Sequence, residues 1–219
     1  MSREGAGAPL RWVAVAGVTG FLVSALFSSA LRLPRGPFVL VYAVTVGALA
    51  SRFFRRTGAL VDGAARPRLP VAVAAGLVVG TVLAAGVIGG PGGARPAGFH
   101  LATALGWYGI VYGVADAVLL TIIPVLAVGA SRTMGTSGER LQRGALALVG
   151  SLLVTALYHA GFAEFRSPAL VQPLIGNAIV TAGYLVTRHA ATPLIAHVLM
   201  HGAAVFHGME ATAQLPPHY

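Results

Sequence analysis

One carboxylate and three histidines stand in apolar surroundings where charge is costly. They are Asp116 in "GWYGIVYGVADAVLLTIIPVL", His159 in "SLLVTALYHAGF", and His197 and His201 in "ATPLIAHVLMHGAAVFHG". An ionised, unpaired Asp inside a membrane helix costs at least ~2.5 to 3.5 kcal/mol on insertion scales, so Asp116 needs a partner or a proton, and histidines are the intramembrane candidates. His197 and His201 are four residues apart, a turn of about 400°, which places both imidazoles on one helix face. Three helices can therefore converge one Asp and three His. Such a group binds a divalent metal such as zinc through neutral imidazoles and a carboxylate, or orients and deprotonates a water directly.

The surrounding chain makes this setting a membrane. Of 219 residues, 56% are apolar and 10% charged, against roughly 25% charged in soluble domains. The expected fold is an all-α, multi-pass transmembrane bundle of about seven helices, with apolar runs near Leu10 to Leu31, Pro37 to Phe53, Leu69 to Ile88, Trp107 to Val128, Ala145 to Phe162, Ala169 to Thr187 and Ala190 to His207. Phe99 to Val128 is too long for one ordinary span, and its first turns are expected in the interface before the chain turns inward. The first run exceeds a signal-peptide core of roughly 7 to 15 residues, so it reads as a retained helix.

All fifteen basic residues are arginine. They are scattered through the short gaps between spans and form no single basic face, which argues against nucleic acid. A cytoplasmic N-terminus places eleven inside (Arg3, Arg11, Arg52, Arg55, Arg56, Arg66, Arg68, Arg132, Arg140, Arg143 and Arg188) and four outside (Arg32, Arg35, Arg95 and Arg166), as the positive-inside rule requires. The absence of lysine and the Ala and Gly load fit a GC-rich bacterial genome, so a bacterial cell membrane is the expected location. With no cysteine in the chain, disulfides, thiolate catalysis and cysteine-ligated zinc are excluded.

The Gly/Pro loop from Gly89 divides three plainly apolar helices from four that carry polar groups. The expected division is a scaffold over residues 1–98, a site-bearing part over 99–208 and a short tail over 209–219. Glu4, Asp62 and Glu139 fall in loops or tails, and Glu164 and Glu210 near helix ends. Asn177, Thr181 and Tyr184 form a polar stripe that could face the same cavity, although polar residues in membrane helices commonly serve helix contacts. His207 points about 80° away from His197, and with His100, His189 and His218 it is assigned to the interface or loops.

The segment Gly176 to Val205, "GNAIVTAGYLVTRHAATPLIAHVLMHGAAV", resembles the C-terminal signature of the CPBP family, the CAAX-protease and bacteriocin-processing intramembrane proteases. Its P-x-x-A-H-x-x-x-N pattern falls on Pro193, Ala196, His197 and His201, with His201 where Asn is usual. The family's F-x-x-x-H motif resembles "TALYH", with Thr155 for Phe and His159 as its histidine. The first motif, E-E-x-x-x-R, falls on "DAVLLT": Asp116 for the first Glu, Ala117 for the second and Thr121 for the Arg. A shift by one residue instead puts Ala115 at the first Glu, Asp116 at the second and Leu120 at the Arg.

The resemblance implies an intramembrane endopeptidase acting on a peptide segment near the membrane. Asp116 would be the general base, His159 and His197 would orient the water or bind metal, and His201 would donate to the oxyanion or become a further ligand. The shorter carboxylate and the missing Glu and Arg imply the alternative of a silent homologue that binds a membrane partner. A small proton-coupled carrier using the same residues ranks third, because no inverted repeat or broken helix pair is visible.

Overall fold

The computed structural model describes residues 8–58, 69–129 and 135–208. Arg3, Glu4, Asp62, Arg66, Arg68, Arg132, Glu210, His218 and the tail lie outside them. Seven long helices and no strand are found among the described residues: α1 (Leu10–Ala30), α2 (Arg35–Thr57), α3 (Leu69–Ile88), α4 (Gly98–Ala127), α5 (Ser137–Ala160), α6 (Pro168–Thr187) and α7 (Ala191–His207). The first six are long and apolar enough to cross a membrane. Helix α7, at 17 residues, meets the lower limit of a span. The protein is an all-α membrane bundle.

Large apolar side chains such as Leu40, Val44, Val78, Val149 and Val186 point outward. In water this would be an aggregation surface; around a transmembrane bundle it is the face that lipid covers. Inside, an aromatic core ties α2, α4 and α5 together: Tyr42 stacks on Tyr158 at 5.1 Å and meets Tyr112 edge-on at 5.5 Å, and Phe38 packs on Phe162.

Helices without a hydrophobic drive between them associate by close packing, and small residues permit it. The α3/α7 seam is built this way. A Cβ on Gly76 would lie 3.0 Å from the Thr192 carbonyl oxygen, and one on Gly80 would lie 3.1 Å from the Ala196 Cα. Across α4 and α7 the same device recurs at Gly113, where a Cβ would lie 3.0 Å from the Val198 Cα. That contact brings the α7 histidines against the Asp116 turn.

Helix α4 is one continuous element, so the expected inward turn after an interfacial stretch does not occur. It contains π-helical turns at Leu105–Val111 and Ala117–Ile122, the kind of local widening that often accompanies function. Helix α5 begins eight residues before its apolar run. Its start is fixed by a capping box, with the Thr136 Oγ1 accepting from the Glu139 backbone and Glu139 accepting from the Thr136 N–H at 2.9 Å.

Candidate functional site

The centre of the site is the Asp116 carboxylate, buried on α4 just before the π-helical turn. The Tyr42 hydroxyl on α2 donates to its Oδ1 at 2.7 Å. On the other side, His201 Nε2 lies 3.0 Å from Oδ2. Because a carboxylate only accepts, Nε2 carries the shared hydrogen, and a neutral His201 then presents a bare lone pair at Nδ1. The His201 ring also rests against Tyr112, centroids 4.7 Å apart, and Tyr112 shares a hydrogen bond with Tyr158 at 2.8 Å. Four helices thus hold one buried dyad.

His197 stands one turn below, its ring nearly parallel to that of His201 with centroids 6.0 Å apart. Both of its nitrogens are buried and unpartnered within the protein, as is His201 Nδ1. Buried polar atoms without partners are rare in finished structures and ask for a ligand or water. Asp116, His197 and His201 each offer a ligand atom within 4.8 Å of the others. Tetrahedral zinc needs donors roughly 3.3 Å apart, with nitrogens at ~2.0 to 2.1 Å from the ion, so an ion here would take the place of the Asp116–His201 hydrogen bond. Two imidazoles and one carboxylate are also the right donor chemistry. The group fits a divalent metal.

His159 lies outside this trio. It lines the same cavity, with Nδ1 2.8 Å from the Thr155 carbonyl. The carbonyl accepts, which fixes the tautomer and leaves Nε2 as the free nitrogen. Its ring is held edge-on by Tyr158 and Phe165. The cavity, about 240 Å³, is lined by Asp116, His197, His201 and His159 and by the rings of Phe162 and Phe165.

Beneath it lies a second polar cluster. The Asn177 amide donates to Ser151 Oγ at 2.8 Å and Thr155 Oγ1 at 2.6 Å, and accepts from Thr121 Oγ1 at 2.8 Å. Ser151 donates to the Leu120 carbonyl and pairs with Thr181. The π-helical turn supplies that carbonyl, since Leu120 lies within Ala117–Ile122. These bonds clasp α4, α5 and α6, so the Asn177 stripe serves packing while its first residue also borders the cavity. Thr121 is engaged here, and Ala117 is fully buried.

Sequence reasoning missed Tyr42. It sits in the half assigned to scaffolding, and an aromatic residue in an apolar helix reads as packing. The available clue is that a phenol hydroxyl buried in a membrane must find a partner. The α3 residues Val82, Leu83 and Gly86 also wall the cavity, so both sides of the Gly89 loop build the site. No protein-family model, no curated protein and no solved structure matches this chain.

Proposed function

We propose that the protein is an intramembrane peptidase of the CPBP kind, which cleaves a peptide segment near the membrane with an activated water. The observation that carries this reading is the buried Asp116–His201 dyad beside His197, whose two nitrogens have no protein partner, all facing one cavity. Asp116, His197 and His201 would hold a divalent metal, zinc by donor type. When bound, such an ion supplies Lewis acidity and an acidified water.

The chain's own residues divide the remaining work. Tyr42 and His201 hold Asp116 by both oxygens, which offsets the cost of burying the carboxylate and fixes its orientation. Asp116 in turn sets the His201 tautomer, with the hydrogen on Nε2; to hold an ion together with Asp116, His201 would give up that hydrogen bond and ligate through Nε2, the nitrogen that faces the carboxylate. His201 then serves as a ligand, the second of the two roles expected of it. His159 presents Nε2 further along the cavity, where a peptide carbonyl or leaving amine would lie. The bacterial membrane and a cytoplasmic N-terminus belong to the same reading.

A second reading is favoured by one observation. No charged residue stands where the family's second Glu and Arg fall: Ala117 is buried, and Thr121 is already bonded to Asn177. That suits a silent homologue that binds a membrane partner.

Zinc content of the detergent-purified protein separates the two. The peptidase reading expects stoichiometric zinc in wild type, its loss in His197→Ala and Asp116→Ala, and loss of proteolysis in both with the fold intact. Zinc absent from every form, with no cleavage of membrane-proximal peptides, leaves the partner-binding reading standing.

A further inference from the structure

The cavity wall has an unusual property: several of its side chains also face the bilayer. Val82 on α3 is 54% exposed, and Ile175 and Ile179 on α6 are 58% and 38% exposed, yet all three line the cavity. Glycine surroundings show why. Where α3 and α6 run together they touch, since a Cβ on Gly183 would lie 3.3 Å from Val79 and one on Gly176 would lie 3.7 Å from Leu83. One turn further along α3, a Cβ on Gly86 meets nothing within 4 Å. Open space beside Gly86, in a cavity whose wall includes the outward-facing Val82, Ile175 and Ile179, makes a mouth from the cavity to the lipid between these two helices.

The mouth lies in a definite half of the bundle. It opens toward the end built by residues 31–34, 89–97 and 161–170, which is held together by Ser29 donating to the Gly161 carbonyl at 2.7 Å and Gly93 N–H donating to the His207 carbonyl at 3.0 Å. Among the described residues this end carries four arginines, Arg32, Arg35, Arg95 and Arg166, and the opposite end seven. Arginine excess marks the cytoplasmic side, so the mouth faces the outer leaflet.

The mouth is walled by the apolar side chains of Val82, Ile175 and Ile179, and what lies against such a wall in a bilayer is hydrocarbon chain. Lipid tails gain nothing by hydrophobic transfer from bilayer to cavity. A void open to them nevertheless fills, because its lining otherwise forfeits dispersion contacts.

We propose that the gap between the outer halves of α3 and α6 admits one acyl chain of an outer-leaflet phospholipid into the cavity, alongside Met200 and His201. This binding site does not rest on the peptidase reading. The probe is a phosphatidylcholine with a diazirine at mid-chain, mixed into vesicles holding the full-length protein, photolysed and mapped by mass spectrometry. Label is expected on α7 around Met200, which faces the cavity. Gly86→Leu and Ile175→Trp each narrow the mouth. Each should lower that label about tenfold, the change that roughly 1.4 kcal/mol produces, while label on outward Leu40 and Val44 of α2 stays constant as a control for folding and lipid contact. Label missing from α7 in wild type, or unchanged in both variants, overturns the site. The leaflet is read separately with Ala94→Cys, the sole thiol in an otherwise cysteine-free chain. A membrane-impermeant maleimide should modify it in intact cells, and modification only after lysis overturns the outer-leaflet assignment.

Discussion

Tyr42 on α2 donates a 2.7 Å hydrogen bond to Asp116 on α4, joining the two sides of the Gly89 loop at a buried carboxylate. Hydrogen bonds to charged groups contribute about 1.5 to 3 kcal/mol, while polar contacts between membrane helices average about 0.6. Here the acceptor is a buried carboxylate, so the larger range applies. Tyr42→Phe should lower unfolding stability in detergent by about 2 kcal/mol, and by much less in an Asp116→Asn background. Equal costs in both backgrounds would show that the hydroxyl does not act through Asp116.

His201→Asn tests whether His201 is a ligand. Asn keeps an N–H for Asp116 but removes both imidazole nitrogens. If His201 is a ligand, zinc content falls as far as in His197→Ala. Retained zinc and activity would return His201 to the role of a donor.

Asn177→Leu removes the hub of the polar clasp. Four contacts converge on this side chain, to Thr121, Ser151, Thr155 and the Leu120 carbonyl. At about 0.6 kcal/mol each, the loss is about 2 kcal/mol, plus the cost of hydroxyls left unpaired. Chemical unfolding monitored by tryptophan fluorescence gives the value. A change below the error of the method would mean that Ser151 and Thr181 satisfy the cluster by themselves.

Gly113→Ala and Gly47→Ala should have opposite signs. At Gly113 the new methyl meets α7 backbone at 3.0 Å, which a flexible side chain cannot relieve, whereas at Gly47 it meets nothing within 4 Å. Overpacking costs typically ~1 to 3 kcal/mol, and Ala in an open helical position stabilises by up to about 1 kcal/mol relative to Gly. Gly113→Ala should also reduce zinc content, because it separates the helices that carry Asp116 and His201. Thermal shift and elemental analysis on the same preparations test both statements.

Much of this was legible in the sequence. Apolar runs locate the spans because a membrane helix must bury every backbone polar group, and the i,i+4 spacing places His197 and His201 on one face. Helix ends were less legible where capping, not hydropathy, sets them, as at Thr136 ahead of α5. Asp116 was visible as the single carboxylate deep within a span, but its partners were only half visible. His201 follows from charge. Tyr42 depends on which faces α2 and α4 turn toward each other, a packing outcome with no local pattern. The separation of His159 from the trio likewise arises from its bond to the Thr155 carbonyl, which spacing alone does not fix.

The gap beside Gly86 lies between two helices that are each fixed elsewhere: α3 by its glycine seam with α7, and α6 by the Asn177 clasp to α4 and α5. Neither is free to swing without breaking its own anchor. The opening is therefore a fixed port, not a door. Traffic through it follows exchange with the surrounding fluid, so its pace is set by the composition and fluidity of the bilayer instead of by a conformational cycle of the protein.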